Sequence, residues 1–154
     1  MTDILTPARR SALMARVRGT GNASTELRLI AVFRAHRVTG WRRSATLQFK
    51  TDKVKFKVRP DFVFPARRLA VFVDGCFWHG CPLHATQPKQ NAKFWREKLE
   101  QNQTRDALVT RTLRRAGWRV LRVWEHELTR RYERRLLARL RRAGLVEPGL
   151  SSTV

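Results

Sequence analysis

The chain has 154 residues with 33 Lys and Arg against 12 Asp and Glu, a formal net charge of +21. One domain of roughly 100–200 residues is the expectation, and 42% hydrophobic residues with five Trp and eight Phe exclude a disordered basic tail. No apolar run is long enough to span a bilayer, no apolar stretch follows Met1-Thr2-Asp3 as a signal peptide would require, and two cysteines are too few for a disulfide scaffold. The expectation is a cytosolic globular protein whose positive field selects a polyanion, nucleic acid first.

Residues 1–20 read as a separate arm, with a short helix from Ser11 to Val17 that places Leu13, Met14 and Val17 on one side before Gly19-Thr20-Gly21 breaks it. Asn22 or Ser24 can cap a helix running to about His36, with Leu27, Ile30, Ala31 and Ala35 on one face. Short strand-like segments follow: Trp41 to Lys50, Val54 to Arg59, Asp61 to Phe64 and Leu69 to Asp74. In the second of these, Val54, Phe56 and Val58 alternate with Lys at the strand period. The last two are continuous apolar runs of the kind found in central strands buried on both faces. After an irregular stretch over 75–90, a long helix is predicted from Asn91 to about Ala116, with Trp95, Leu99, Asn102 and Leu113 as its apolar-side positions and Gly117 as its stop. Trp118 to Trp124 is a strand, and a final helix covers about Glu127 to Ala143 with Leu128, Tyr132, Leu136 and Leu140 on one face. Gly144 caps it, and 145–154 read as a frayed tail. Helix, strands, helix, strand, helix predicts an α/β sandwich around a mixed sheet.

Two clusters carry chemistry. Cys76, His79, Cys81 and His84 crowd one loop. Thiolate and imidazole favour zinc, which takes four tetrahedral ligands in structural sites. His126 follows the strand ending at Trp124 and reaches this loop if that strand lies beside Leu69 to Asp74. The expected ligands are then Cys76, Cys81, His84 and His126, with His79 left free. Reduced cysteines with incidental histidines are the competing reading. The second cluster is acidic. Asp61 starts one buried strand, Asp74 ends the next, and Glu26 stands on the first long helix. Two readings remain open for these acids: ion pairs with Arg59 or a lysine, or a hard cation such as Mg²⁺, which prefers one or two carboxylates plus water and phosphate oxygens. For Glu26 the plain alternative is a helix-start glutamate complementing the dipole. A free His79 can take a proton from an attacking water. Phe77 and Trp78 are either core anchors or a wedge into a base stack.

The phrases Arg59-Pro60-Asp61-Phe62-Val63-Phe64 and Val71-Phe72-Val73-Asp74-Gly75-Cys76-Phe77-Trp78-His79-Gly80-Cys81-Pro82-Leu83-His84 resemble the very-short-patch mismatch repair endonucleases. Phe94-Trp95-Arg96-Glu97-Lys98-Leu99, with Asn102 and Arg105-Asp106, and Gly117 to Glu125 are similar to the same family, so the likeness covers roughly residues 8–143. The resemblance implies a restriction-endonuclease-like three-layer core, a mixed central sheet flanked by helices, with an added structural zinc loop. It implies Mg²⁺-dependent hydrolysis of one strand of duplex DNA beside the T of a T·G mispair, the lesion left by deamination of 5-methylcytosine.

By the same resemblance, Asp61 binds magnesium together with the carbonyl of Val73. His79 activates water, Glu26 supports the hydrated metal, and Phe77 and Trp78 form the wedge. Met14 and Trp95 press on the bases from other directions, and His126 stands where some members carry cysteine. Asp74 departs from the pattern, because some members have histidine there, and it is expected to add to the metal site. The Lys50 to Lys57 stretch is longer and more basic than the pattern before Arg-Pro-Asp. The sequence therefore predicts a mismatch-directed, strand-specific endonuclease in the bacterial cytoplasm, with a DNA-contacting arm over 1–20, a catalytic domain over 21–144 and a flexible tail. A monomer suffices for a one-strand cut, and other mismatch-repair proteins are candidate partners. The rival readings are a restriction-type or nonspecific nuclease on the same core and a zinc-stabilised DNA- or RNA-binding module without catalysis.

Overall fold

The computed structural model describes residues 25–50, 55–76, 80–83 and 89–148. Its elements in chain order are α1 (Glu26–Ala35), β1 (Arg42–Arg43), β2 (Leu47–Lys50), β3 (Lys55–Val58), β4 (Phe62–Phe64), β5 (Leu69–Asp74), α2 (Ala92–Arg115), β6 (Arg119–Trp124) and α3 (Glu133–Arg142). Four strands form one sheet in the order β1-β4-β5-β6, and β2 and β3 form a separate two-stranded ribbon. The β1–β4 and β4–β5 pairs are antiparallel, whereas β5 and β6 run parallel, joined by α2 as a parallel pair requires. The sheet is therefore mixed, as expected.

Helices lie on both of its faces. Phe62 and Phe64 of β4, Leu69 and Val71 of β5 and Val123 of β6 point to one side, into a core shared with Leu29, Ile30 and Phe33 of α1 and Leu136 and Leu140 of α3. Phe33 meets Phe62 and Phe64 edge-on at 5.3 and 5.7 Å, the geometry that aromatic quadrupoles favour. On the opposite side Arg122 of β6 lies 4.4 Å over the Phe72 ring. It also donates to Thr110 Oγ1 at 3.0 Å and the Asp106 carbonyl at 3.2 Å, both on α2.

All three α-helices among the described residues stop in the same way. In each, the residue two past the cap donates back to the third carbonyl from the helix end: Val38 to Phe33 at 2.8 Å, Trp118 to Leu113 at 3.0 Å and Leu145 to Leu140 at 2.9 Å. The residue before each donor has positive φ, as this closure needs: Arg37, Gly117 and Gly144.

Four expectations are corrected. On α1 the buried residues are Glu26, Leu29, Ile30 and Phe33, while Leu27 is 43% exposed and Ala31 and Ala35 face solvent. The larger side chains Leu29 and Phe33 take the core face in place of the alanines. The helix begins after Thr25, which makes no side-chain cap. The final helix starts at Glu133 rather than Glu127, because Glu125–Leu128 and Arg130–Tyr132 are 3₁₀ turns. Glu127 is folded back there to accept the Trp124 N–H at 2.8 Å. The tail is not frayed at its start: Leu145 and Val146 are buried in the core, carried there by the closure at Gly144. The arm and residues 149–154 lie outside the described residues.

Candidate active site and metal centre

Asp61 sits in the bend between β3 and β4, just after Pro60, which is itself buried. Val73 of β5 donates its N–H to Asp61 Oδ2 at 2.7 Å, so the Val73 peptide lies beside this carboxylate. Glu26 faces Asp61 from the first turn of α1, and Asp74 adds its charge from the end of β5. The sequence expectation that these three acids gather at one place therefore holds as geometry. Burial raises the Asp61 carboxyl most, the Val73 N–H opposes it, and Glu26 and then Asp74 raise it further, leaving it pushed up to about 7. The physical cause is plain: a carboxylate withdrawn from water beside two other acids disfavours its charged form.

The ion pairs go to the neighbours of Asp61. Arg43 of β1 holds Glu26 Oε2 through Nε and Nη2, both at 2.9 Å, and Glu26 is 3% exposed. Arg122 Nη1 lies 3.0 and 3.1 Å from the two oxygens of Asp74, itself 4% exposed. Arg59, one of the two ion-pair partners that the sequence offers Asp61, instead donates to the Ser44 carbonyl at 3.0 Å. Among the described residues no ion pair reaches Asp61. The composition alone did not single out Arg43 and Arg122. In a chain this basic, only the strand pairing separates an arginine that neutralises an acid from one facing solvent. The donor chemistry fits a hard divalent cation: oxygen ligands, more than one acid, and a carboxyl whose ionisation is disfavoured until a positive charge arrives.

The second cluster forms where β5 and β6 end side by side. The parallel register pairs Asp74 with Trp124, so Cys76 and His126, each two residues further on, meet. His126 Nδ1 is 3.4 Å from both Cys76 Sγ and Cys81 Sγ, and the three donor atoms lie within 4.8 Å of one another. Cys81 N–H bonds the Cys76 carbonyl at 2.9 Å, which closes the loop between the two thiols. The His126 ring is stacked beside Trp124 and packed edge-on against Tyr132 at 5.0 Å, so its orientation is fixed. Burial raises the Cys76 thiol, and the neighbouring Cys81 and Glu125 raise it further against a lowering hydrogen bond from the His126 backbone. Two thiols and an imidazole fit a zinc ion, which would favour the thiolates. Neither cysteine is disulfide-bonded in this structure.

His84, the fourth expected ligand, lies outside the described residues, as do Phe77, Trp78, His79 and Met14. Trp95 is half-buried in the first turn of α2, in edge-on contact at 5.3 Å with Phe94, which is 58% exposed. Sequence reasoning also missed Glu127 and Arg139. Glu127 is 3% exposed and accepts from Arg139 Nη1 at 2.6 Å, while Arg139 Nη2 donates to the Arg122 carbonyl, also at 2.6 Å. This pair pins the end of β6, and with it His126, to α3.

A family model described as DNA mismatch endonuclease Vsr matches residues 2–84. The Type II nicking enzyme V.XorIIP of Xanthomonas oryzae pv. oryzae is 38% identical over 130 residues, which are 84% of this chain and 88% of that protein. The DNA mismatch endonuclease Vsr of Escherichia coli is 36% identical over 127 residues, 81% of this chain and 74% of its own length. The Type II nicking enzyme V.NaeI of Lentzea aerocolonigenes is 61% identical over 71 residues, and that match spans 46% of this chain and 43% of V.NaeI. No described helix is long and apolar enough to cross a membrane. With half the chain matched by the family model and most of its length shared with two such relatives, the chain belongs to the Vsr family of DNA mismatch endonucleases.

Proposed function

We propose that the protein nicks one strand of duplex DNA next to the T of a T·G mispair, and so starts the repair of deaminated 5-methylcytosine. The observation that carries this reading is the convergence of Glu26, Asp61 and Asp74 at one sheet end in a chain of net charge +21. A basic surface alone needs no buried acids to hold DNA, whereas metal-assisted phosphodiester hydrolysis uses carboxylates to hold its cation.

Asp61 and the Val73 carbonyl would hold Mg²⁺, which would polarise the scissile phosphate and stabilise its developing charge. Glu26 accepts hydrogen bonds from water at the site, and Arg43 holds its carboxylate in place there. Asp74 positions Arg122 and adds negative charge next to Asp61. His79 takes the proton of the attacking water. Phe77 and Trp78 wedge into the stack at the mispair, where opening costs least, and Trp95 and Met14 press on the bases from other sides. Cys76, Cys81, His84 and His126 bind a structural zinc that fixes the loop carrying the wedge and His79. The arm over 1–20 contacts DNA, residues 21–144 form the catalytic unit, and one copy suffices for one cut. Other mismatch-repair proteins would act on the nicked product.

The test is single-turnover nicking of a T·G duplex as Mg²⁺ is titrated, beside Asp61→Ala. The reading expects a saturable Mg²⁺ requirement and a variant that still binds the duplex but leaves it intact. Cleavage by Asp61→Ala at the wild-type rate would overturn it.

A further inference from the structure

The β2–β3 ribbon is separate from the main sheet, and none of its side chains belongs to the hydrophobic core. Its two faces differ sharply. Leu47, Phe49, Phe56 and Val58 are half-buried on one face, while Gln48, Lys50, Lys55 and Lys57 are exposed on the other. The register sets Gln48 opposite Lys57 and Lys50 opposite Lys55. Two lysines facing each other across a strand pair repel, so this face works against the folded ribbon until an anion lies on it. Hydrogen bonds fix the base of the ribbon to the candidate active site: Ser44 N–H to the Asp61 carbonyl at 3.0 Å, and Arg59 Nε–H to the Ser44 carbonyl at 3.0 Å. The direction of the ribbon is thereby tied to the turn that carries Asp61.

We infer that the exposed face of this ribbon is a second DNA-contacting surface, which engages the duplex beside the nick. A two-stranded antiparallel ribbon fits the major groove. Lysine matches phosphates and guanine O6 and N7 there, and glutamine matches adenine N6 and N7. Lys55 is six residues from Asp61, so its Cα lies at most about 22 Å from that of the acid. That places the backbone of this lysine within about seven base pairs of Asp61 along a duplex, at ~3.4 Å per base pair. The inference deepens the proposed function, since it rests on DNA as the ligand of the same site, and it assigns part of the flanking-sequence choice to Gln48 and the three lysines.

The experiment is equilibrium binding of the full chain to a T·G duplex across a salt series, with footprinting, for the wild type and for Lys50→Ala/Lys55→Ala/Lys57→Ala. The triple variant should melt at or above the wild-type temperature, because the repulsion is gone. Its binding should weaken at least about tenfold near physiological salt, with a salt slope shallower by about one unit per lysine and protection lost on one flank. Gln48→Ala should flatten the preference among duplexes differing at one flanking pair. A properly folded triple variant with unchanged affinity, salt slope and footprint would overturn the inference. Because the readout is binding, wild-type protein that binds through the ribbon yet never nicks would sink the proposed function while sustaining this one.

Discussion

Replacing Asp61 by Asn should make the protein more stable and inactive at once. The folded-state carboxyl lies at about 7 against an ordinary value of 3.8, chiefly because it is buried and faces Glu26 and Asp74. Below pH 3.8 both folded and unfolded chains hold this proton, and the group costs folding nothing. As pH rises from 3.8 to about 7 the unfolded chain ionises freely while the folded chain does not, so stability falls, and above that window the loss is complete. At about 1.4 kcal/mol per pKa unit, the whole shift is on the order of 4 kcal/mol. Water reaching the site screens part of this, so Asn should recover roughly 1–3 kcal/mol of it at pH 8. Asn keeps an acceptor for the Val73 N–H, so the bend should persist. The assay is urea unfolding of both proteins without Mg²⁺ at pH 4, 6 and 8. The stability gap should be near zero at pH 4 and widen with pH. Adding Mg²⁺ should stabilise the wild type alone. A variant less stable than wild type at pH 8, or a gap that does not change with pH, would refute the reasoning.

Other outcomes follow from the same contacts. Arg139→Met leaves the buried Glu127 charge without its guanidinium and should cost about 2–4 kcal/mol in denaturant unfolding, as breaking buried pairs does. Metal analysis of purified protein should find one zinc per chain, reduced in Cys81→Ala and in His126→Ala; His84→Ala then tests the fourth ligand. Gly80 has positive φ, and a Cβ there would collide with the Gln103 side chain of α2. Gly80→Ala should cost about 1–2 kcal/mol and speed zinc loss to a chelator, measured with a colorimetric indicator. Asp74→Asn removes one of the charges raising Asp61. The pH window of the stability loss described above should move down in that variant.

Much of the architecture was legible because its signals are local and redundant. The apolar runs at Phe62-Val63-Phe64 and Leu69 to Asp74, and the span from Asn91 to Gly117, fell where strands and the long helix are found. The meeting of Cys76, Cys81 and His126 was legible once β6 was placed beside β5, since a parallel register carries both chain ends to one point. The buried face of α1 was misread because alanines were counted as equals of Leu29 and Phe33, although burial of the larger side chains contributes far more. The start of α3 was misread because Glu127 looks like a helix-start acid in sequence, whereas it serves as a cap for Trp124 and a partner for Arg139. The division of labour among arginines was hidden for a deeper reason. Arg43 finds Glu26 across 17 residues and Arg122 finds Asp74 across 48, and no local pattern distinguishes them from their solvated neighbours.

The most direct test of the account uses end-labelled duplexes that differ at a single pair, T·G against C·G, incubated with the protein and Mg²⁺ over a set of flanking sequences. The account predicts one nick, beside the T and in the T strand only, absent from the C·G duplex and lost with Asp61→Ala. Equal cutting of both duplexes would contradict mismatch direction and leave a restriction-type or nonspecific nuclease. Tight binding with no cut in any flanking sequence would contradict catalysis itself.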